Sequence, residues 1–140
     1  MIVDTHCHFD MMDAPETFVN RVELTDQIVI GMTNLPSHFK IGLPHIRNKK
    51  HVRLALGLHP LLAQDHDSEL LLFKEMVNHT SYIGEVGLDF SREGLSTKEK
   101  QIESFSFVLD CINEKKKDSK CSFKRCRECR TRFTAKIQRK

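Results

Sequence analysis

Apolar and polar residues alternate along the first 114 residues in a pattern that predicts strands and helices in turn. Four short runs are almost wholly apolar, as is typical of parallel strands that are covered on both faces. We predict these strands at the N-terminus and over residues 27–32, 52–57 and 82–86. The stretches between them are longer, and their apolar residues recur at three- and four-residue spacing, which indicates amphipathic helices.

Residues that favour helix ends locate the helices more closely. Asp13 is predicted to cap the first helix, with Pro15 in its first turn. Residues 36–50 contain a glycine and a proline and are predicted to form two short helical pieces, whereas residues 68–78 and 96–114 form longer helices. The apolar residues that we expect these helices to bury are Phe18, Val19 and Val22, then Leu71, Leu72 and Met76, and finally Ile102, Phe105, Leu109 and Ile112.

Four strand-helix units in succession favour an α/β architecture with a parallel sheet and right-handed crossovers. The chain has 140 residues, well short of the roughly 250 residues of a complete eight-stranded barrel. If the sheet curls, we expect the N-terminal half of a TIM-like (β/α) barrel.

The charge changes sharply near residue 115. Residues 115–140 hold 12 of the 22 Lys and Arg residues but only two of the 19 acidic ones, so residues 1–114 carry a net charge of −7 and the remainder +10. Such a break marks an interaction tail or a segment of different origin. We therefore divide the chain into a partial barrel, residues 1–114, and a basic, cysteine-containing tail, residues 115–140, which we expect to be irregular or disordered.

The N-terminus lacks the apolar stretch of a signal peptide, and no run of about 18 apolar residues occurs. Five cysteines without such a signal favour reduced thiols. We predict a soluble, cytoplasmic protein with no membrane association. Five histidines lie in polar segments, and we expect them at the surface: His38, His45, His51, His66 and His79.

The first strand ends in a His-x-His pair, which is the first candidate for chemistry. Side chains two apart on a strand share a face, so His6 and His8 point the same way as Asp4, while Cys7 points the other way. Two imidazoles on one face can bind one metal ion, and a carboxylate behind them can orient a ligand ring. The alternative is that both histidines are partly buried strand residues that only form hydrogen bonds.

Glu85 is the second candidate, because it stands at the end of an otherwise apolar strand between Gly84 and Gly87. A carboxylate in such a place is costly unless it is paired or bound to a cation. If the sheet curls into a barrel, the first and fourth strands bring His6, His8 and Glu85 to one rim. The alternative is a strand-end carboxylate exposed to water.

Three segments in this order resemble the signature motifs of the TatD family. They are Asp4-Thr-His-Cys-His8, Gly57-Leu-His-Pro60 and Gly84-Glu-Val-Gly-Leu-Asp89, and the resemblance covers residues 1 to about 114. The family consists of metal-dependent deoxyribonucleases of the amidohydrolase superfamily, with distorted α/β barrels. Residues 34–38 and 57–62 are also similar to TatD-like proteins of Qat-type antiphage gene clusters, which would imply partners in a defence complex.

The resemblance implies a role for each matching residue. His6 and His8 would bind one divalent ion, and Glu85, the catalytic carboxylate, would bridge it to a second. His59 would lie beside the phosphate of the DNA substrate, and Asp4 and Asp89 would support the site. The mixed ligands admit zinc, manganese or magnesium. Two such ions can activate water and neutralise the charge that grows on phosphorus.

The sequence departs from the family in its second half. The complete site needs two more histidines and an aspartate from later strands, but no histidine follows His79. We hypothesise that the reading frame shifted near residues 115–117, because lysine runs have adenine-rich codons prone to slippage. Sequencing the locus tests this, since an uninterrupted frame without barrel-like sequence in the other frames would refute it. We expect this chain alone to be a poor nuclease.

The competing interpretation is that the tail, residues 115–140, is a genuine functional segment of the protein. Cys121, Cys126 and Cys129 form only part of a zinc site, but the surrounding arginines could bind nucleic acid through counterion release. The chain would then be a non-catalytic scaffold or nucleic-acid-binding module. A half barrel also leaves strand edges unpaired, so we expect self-association or partner binding there.

Overall fold

The structure, a computed structural model, describes residues 1–118, which form four strands and four longer helices in alternation. The strands are β1 (Ile2–Cys7), β2 (Gln27–Met32), β3 (Val52–Leu58) and β4 (Ile83–Val86). The helices are α1 (Pro15–Glu23), α2 (Pro36–Ile46), α3 (His66–Met76) and α4 (Lys98–Asp118).

The strands form one sheet in the order β1-β2-β3-β4, and every neighbouring pair is parallel. Each strand lies within one or two residues of its predicted position. The predicted fold class, the N-terminal half of a TIM-like barrel with alternating strands and helices, is confirmed. The expectations about the tail beyond residue 118, including its cysteines, lie outside the described residues.

The core lies between the sheet and the helices, and β3 runs through its centre. Val52, Ala55 and Leu56 have no exposed surface, as expected for a strand between two neighbours and beneath helices. Phe39 of α2 and Phe73 of α3 are also fully buried. Replacing a buried phenylalanine with alanine costs about 3–5 kcal/mol, so these two rings hold their helices to the sheet.

Two helix predictions were wrong in detail. The residue that precedes α1 is Ala14, with no side-chain cap, because Asp13 lies one residue too early. Instead of two short pieces within residues 36–50, one helix, α2, covers Pro36–Ile46. Its glycine, Gly42, faces β3, where a Cβ atom would come within 2.9 Å of Leu54 Cδ1, so the glycine brings the helix close to the strand. Pro44 is exposed, where water can replace the backbone hydrogen bond that proline removes.

The buried face of α4 also differs from the prediction. Ile102 is 43% exposed and Leu109 is 39% exposed, although both were expected in the core. The helix is rotated because the amide of Gln101 is buried, where it accepts a hydrogen bond from Asp89 N (2.8 Å) and donates one to Gly94 O (2.8 Å). The residues that α4 buries are Gln101, Ser104, Val108 and Cys111.

Helix α3 also buries a polar residue and exposes an apolar one that was expected in the core. Leu71 is 74% exposed, whereas Glu69 is buried and its Oε2 accepts a hydrogen bond from Ser37 N at 2.9 Å. Glu69 therefore caps the first turn of α2 from a neighbouring helix.

Helix α4 continues past its predicted end at Glu114, and Lys115 donates hydrogen bonds to the carbonyls of Val77 (2.6 Å) and Thr80. None of the helices in residues 1–118 has the length and apolar character needed to cross a bilayer.

Candidate metal centre

Polar side chains from three strands meet at one rim of the sheet. β1 carries His6 and is followed by His8, β3 is followed by His59, and β4 carries Glu85. In a curled parallel sheet the carboxyl ends of the strands share this rim. β1 and β4 are the outermost of the four strands, yet Nε2 of His8 and Oε2 of Glu85 are 3.4 Å apart. The sheet therefore curls far enough to bring its two edges together across the rim.

His6, His8 and Glu85 have the geometry of a metal-binding group. The Nε2 atoms of the two imidazoles are 3.2 Å apart, and Glu85 Oε2 lies 3.7 Å from His6 Nε2. Among residues 1–118, theirs is the one group of three potential ligands whose atoms all lie within 4.8 Å of one another. Tetrahedral coordination at about 2.1 Å places ligand atoms about 3.4 Å apart. The donor set and its spacing therefore fit a divalent cation.

His6 in β1 and His8 directly after it project to the same side, as the alternation of side chains predicts. The site is open to solvent, because the His6 side chain is 56% exposed and those of His8 and Glu85 are 30% and 35% exposed. Three protein ligands would leave room for water or substrate at an ion bound here, as in catalytic rather than structural metal sites.

His59 approaches the other oxygen of Glu85. Its Nε2 atom is 3.7 Å from Glu85 Oε1, and its Nδ1 atom accepts a hydrogen bond from Leu61 N at 3.2 Å. A nitrogen that accepts carries no proton, so the proton of the neutral ring is on Nε2. His59 therefore presents an N–H group close to Glu85 Oε1, the carboxylate oxygen that is not nearest to His6 and His8.

The two predicted supporting carboxylates lie at the margins. Asp4 Oδ1 accepts a hydrogen bond from the backbone N–H of His6 at 3.0 Å, so it supports the strand beside the ligand. Asp89 Oδ1 accepts one from Ser91 N at 2.7 Å. Hydrogen bonds from the side chain and backbone of Ser91, with a smaller contribution from His59, lower the pKa of the Asp89 carboxyl below its ordinary value. The roles of both residues remain predictions.

The sequence analysis missed two residues at the end of β2 that hold the rim together. Thr33 is 1% exposed, and its hydroxyl donates to Ala55 O (2.8 Å) and accepts from Gly57 N (3.2 Å). The Thr33 carbonyl accepts a hydrogen bond from Glu85 N at 3.3 Å, and the Asn34 carbonyl accepts one from His59 N at 2.8 Å. β2 thus supplies no ligand but fixes the backbones of two site residues. Two polar residues directly after an apolar strand were the available signal.

The prediction that His66 lies at the surface was wrong. Its side chain is 2% exposed, and its Nε2 atom is 3.0 Å from the carbonyl oxygen of His59. Burial lowers the pKa of the His66 ring.

Cys7 lies on the opposite face of β1 from the histidines and packs partly against the core, as expected, and burial raises the pKa of its thiol.

The family of the chain follows from comparison with known proteins. No curated protein matches the chain significantly. A model of the family described as TatD related DNase matches residues 3–117, which include all the candidate site residues. The finer resemblance to proteins of Qat-type clusters remains a prediction. Since the match spans most of the 140 residues and the fold is the expected half barrel, the chain belongs to the TatD-related DNase family.

Proposed function

We propose that this protein hydrolyses phosphodiester bonds in DNA with a divalent ion held by His6, His8 and Glu85. Membership of a DNase family supports a hydrolase, and a nuclease in particular. The observation that carries the proposal is the convergence of two imidazoles and a carboxylate from opposite edges of the sheet. Such a convergence has no evident structural purpose at a solvent-exposed rim, whereas it suits a cation.

The residues around the ion would divide the chemistry. A bound divalent ion would supply Lewis acidity and favour ionisation of a nearby water. His6 and His8 would hold the ion through their Nε2 atoms, and Glu85 would hold it through Oε2. Glu85 Oε1 then remains available to accept a proton from the attacking water or to share a second ion. His59 donates its Nε2–H to a phosphate oxygen and so stabilises the charge that develops there.

We infer that the chain alone holds one ion well and a second ion weakly. The Nε2 atom of His59, 3.7 Å from Glu85 Oε1, carries a proton and so does not bind an ion, and no histidine follows residue 79 to complete a second set of ligands. Charge neutralisation by two ions would then be incomplete. Turnover of DNA is therefore expected to be slow unless ligands come from another polypeptide.

Metal content and hydrolysis, measured together, test the proposal. Wild type, His6→Ala and Glu85→Ala are purified without chelator, analysed for bound metal and assayed on single- and double-stranded DNA with added zinc, manganese or magnesium. Glu93→Ala is the matched control, because Glu93 is an exposed carboxylate outside the site. We expect both site variants, but not the control, to lose the ion and at least about 100-fold in activity. Equal activity in all four proteins would refute the proposal.

A second function, binding of nucleic acid without turnover, is favoured by the charge of +10 in residues 115–140. Lysine and arginine that contact phosphates release counterions, so affinity would fall steeply with salt. Binding of DNA is measured from 50 to 200 mM salt with and without residues 119–140. An unchanged salt dependence after deletion would exclude a role for these residues.

We also infer that the outer edges of β1 and β4 favour association with another chain. Ile2 and Val3 of β1 are 65% and 48% exposed, and within residues 1–118 each outer strand has a neighbour on one side only. Unpaired parallel edges tend to acquire partners. Light scattering over a range of concentrations tests this, and a monomer throughout would contradict self-association.

A further inference from the structure

His66 is a buried polar residue that the proposed chemistry does not use. It lies in the first turn of α3, directly beneath the loop that follows β3, and only 2% of its side chain is exposed. Its contact with the site is indirect, through the hydrogen bond of 3.0 Å between its Nε2 atom and the carbonyl oxygen of His59.

Because a carbonyl can only accept, His66 must carry its proton on Nε2. Its Nδ1 atom is then unprotonated, and within the described part of the chain this buried atom has no hydrogen-bond partner. A buried nitrogen without a partner costs free energy that a leucine in this place would not. Burial also lowers the pKa of the ring, which keeps it neutral in the folded protein.

The hydrogen bond completes a set that fixes both ends of the His59 residue. Asn34 O accepts from His59 N at 2.8 Å, and Leu61 N donates to the ring at Nδ1 at 3.2 Å. The carbonyl accepts two hydrogen bonds, one from Leu62 N at 3.0 Å and one from the buried ring of His66. With the backbone and Nδ1 engaged, the Nε2 edge of the His59 ring is left at the rim, 3.7 Å from Glu85 Oε1.

We propose that His66 is a positioning residue: by binding the His59 carbonyl it holds the turn of residues 59–61, in which the N–H of Leu61 keeps the His59 ring in the Nε2–H tautomer that donates to phosphate, an inference that rests on the function proposed above. His66 acts on the phosphate side alone. The ligands of the ion lie on β1 and β4, and none of the three is hydrogen-bonded to His66.

Three substitutions separate the hydrogen bond from the volume of the side chain. His66→Gln keeps an N–H donor at nearly the same distance from the backbone. His66→Asn keeps an amide that is one carbon too short, and His66→Leu removes the donor. Circular dichroism establishes which variants fold, and His66→Asn replaces His66→Leu in the comparison if the leucine variant does not.

The first measurement is the ¹⁵N spectrum of the His59 ring at neutral pH without metal, which requires no activity. We expect wild type and His66→Gln to show one fixed Nε2–H tautomer, and the variants without a reaching donor to show averaging of two tautomers. An unchanged His59 spectrum in those variants would overturn the proposal.

The second measurement compares binding of zinc, by calorimetry, with hydrolysis of bis(p-nitrophenyl) phosphate. We expect kcat/KM to fall about 10-fold in the variants without the donor and to recover in His66→Gln, while zinc affinity stays within about twofold in all. A parallel loss of zinc affinity would indicate a merely structural role and overturn the proposal. If wild type binds zinc but hydrolyses nothing, the proposed function fails, and the ring spectrum still decides the role of His66.

Discussion

The two walls of the candidate metal centre are held in different ways. One wall is β1, an edge strand in which every residue from Ile2 to His6 is exposed and which, within residues 1–118, pairs with β2 alone. The opposite wall follows β3, a central strand in which the four residues from Leu54 to Gly57 are buried. His59 at the end of β3 is additionally fixed through its N–H, its ring and its carbonyl.

The difference indicates that the wall following β3 is organised before any ligand binds, whereas the wall formed by β1 depends on a ligand for its organisation. The proposed phosphate side, at His59, is fixed by the core and by buried hydrogen bonds, so it would cost little to organise when substrate binds. The imidazoles of β1 have few such restraints, and a cation that joins them to Glu85 would also join the two outer strands of the sheet. Binding of an ion should therefore stabilise the fold, whereas the phosphate side should be sensitive to substitutions in the core.

The largest effect is expected from Gly57→Ala, which disturbs the wall that follows β3. A Cβ atom at residue 57 would lie 1.5 Å from the carbonyl oxygen of Thr33, which is backbone and cannot move aside without breaking the hydrogen bond from Glu85 N. Overpacking of this severity costs about 3 kcal/mol or more. Urea denaturation measures the loss in the free energy of unfolding.

Gly87→Ala is the matched control, since nothing lies within 4 Å of a Cβ atom there. Its free energy of unfolding should stay within about 0.5 kcal/mol of wild type. Similar losses in the two variants would mean that the end of β3 is no more tightly packed than the loop after β4, and the comparison of the two walls would fail.

The next largest effect tests the wall formed by β1. A saturating divalent ion should raise the free energy of unfolding by about 2.7 kcal/mol at 100 times its dissociation constant. The expected stabilisation disappears in His8→Ala, which removes a ligand that is 3.4 Å from Glu85. Thermal unfolding with and without zinc or manganese measures it. His38→Ala, on the exposed surface of α2, should retain the full increase.

Thr33→Val should cost less, about 2 kcal/mol. The substitution keeps the shape of the side chain but leaves the buried carbonyl of Ala55 and the N–H of Gly57 without their partner. Thr33→Ser keeps the hydroxyl and loses one methyl group, at a cost of about 1 kcal/mol. Chemical denaturation of both variants gives the order, and a serine variant less stable than the valine variant would show that volume, not hydrogen bonding, decides at this position.

The sequence predicted the strands and the meeting of three polar side chains at one rim because both depend on local patterns. Continuous apolar runs identified the four strands, and a parallel sheet that curls must bring the polar residues at their ends to one rim. His6, His8 and Glu85 do meet there. The role of His59 beside a phosphate came from the resemblance to a family and remains a prediction.

The rest could not be predicted because it depends on polar side chains with distant partners. The buried face of α4 contains Gln101, because its amide is hydrogen-bonded to Asp89 N and Gly94 O. The buried face of α3 contains Glu69, because its carboxylate accepts a hydrogen bond from the first turn of α2. A pattern of hydrophobicity assigns both residues to the surface. His66 was misassigned for the same reason, since its partner is a backbone carbonyl seven residues earlier.

The smallest effect is the pH dependence that His66 adds to stability. Burial lowers the pKa of its ring in the folded protein, so between that value and about 6.5, the value for an unfolded chain, the unfolded state binds a proton that the folded state does not. Stability should therefore fall as the pH drops below about 6.5, by at most about 1.4 kcal/mol per pH unit from this residue. His66→Gln should flatten the dependence of the free energy of unfolding on pH in this range, measured by urea titration, whereas His38→Gln should not. An equal slope in wild type and His66→Gln would mean that the ring is not confined to its neutral form, and the phosphate side of the site would then be less rigid than its burial implies.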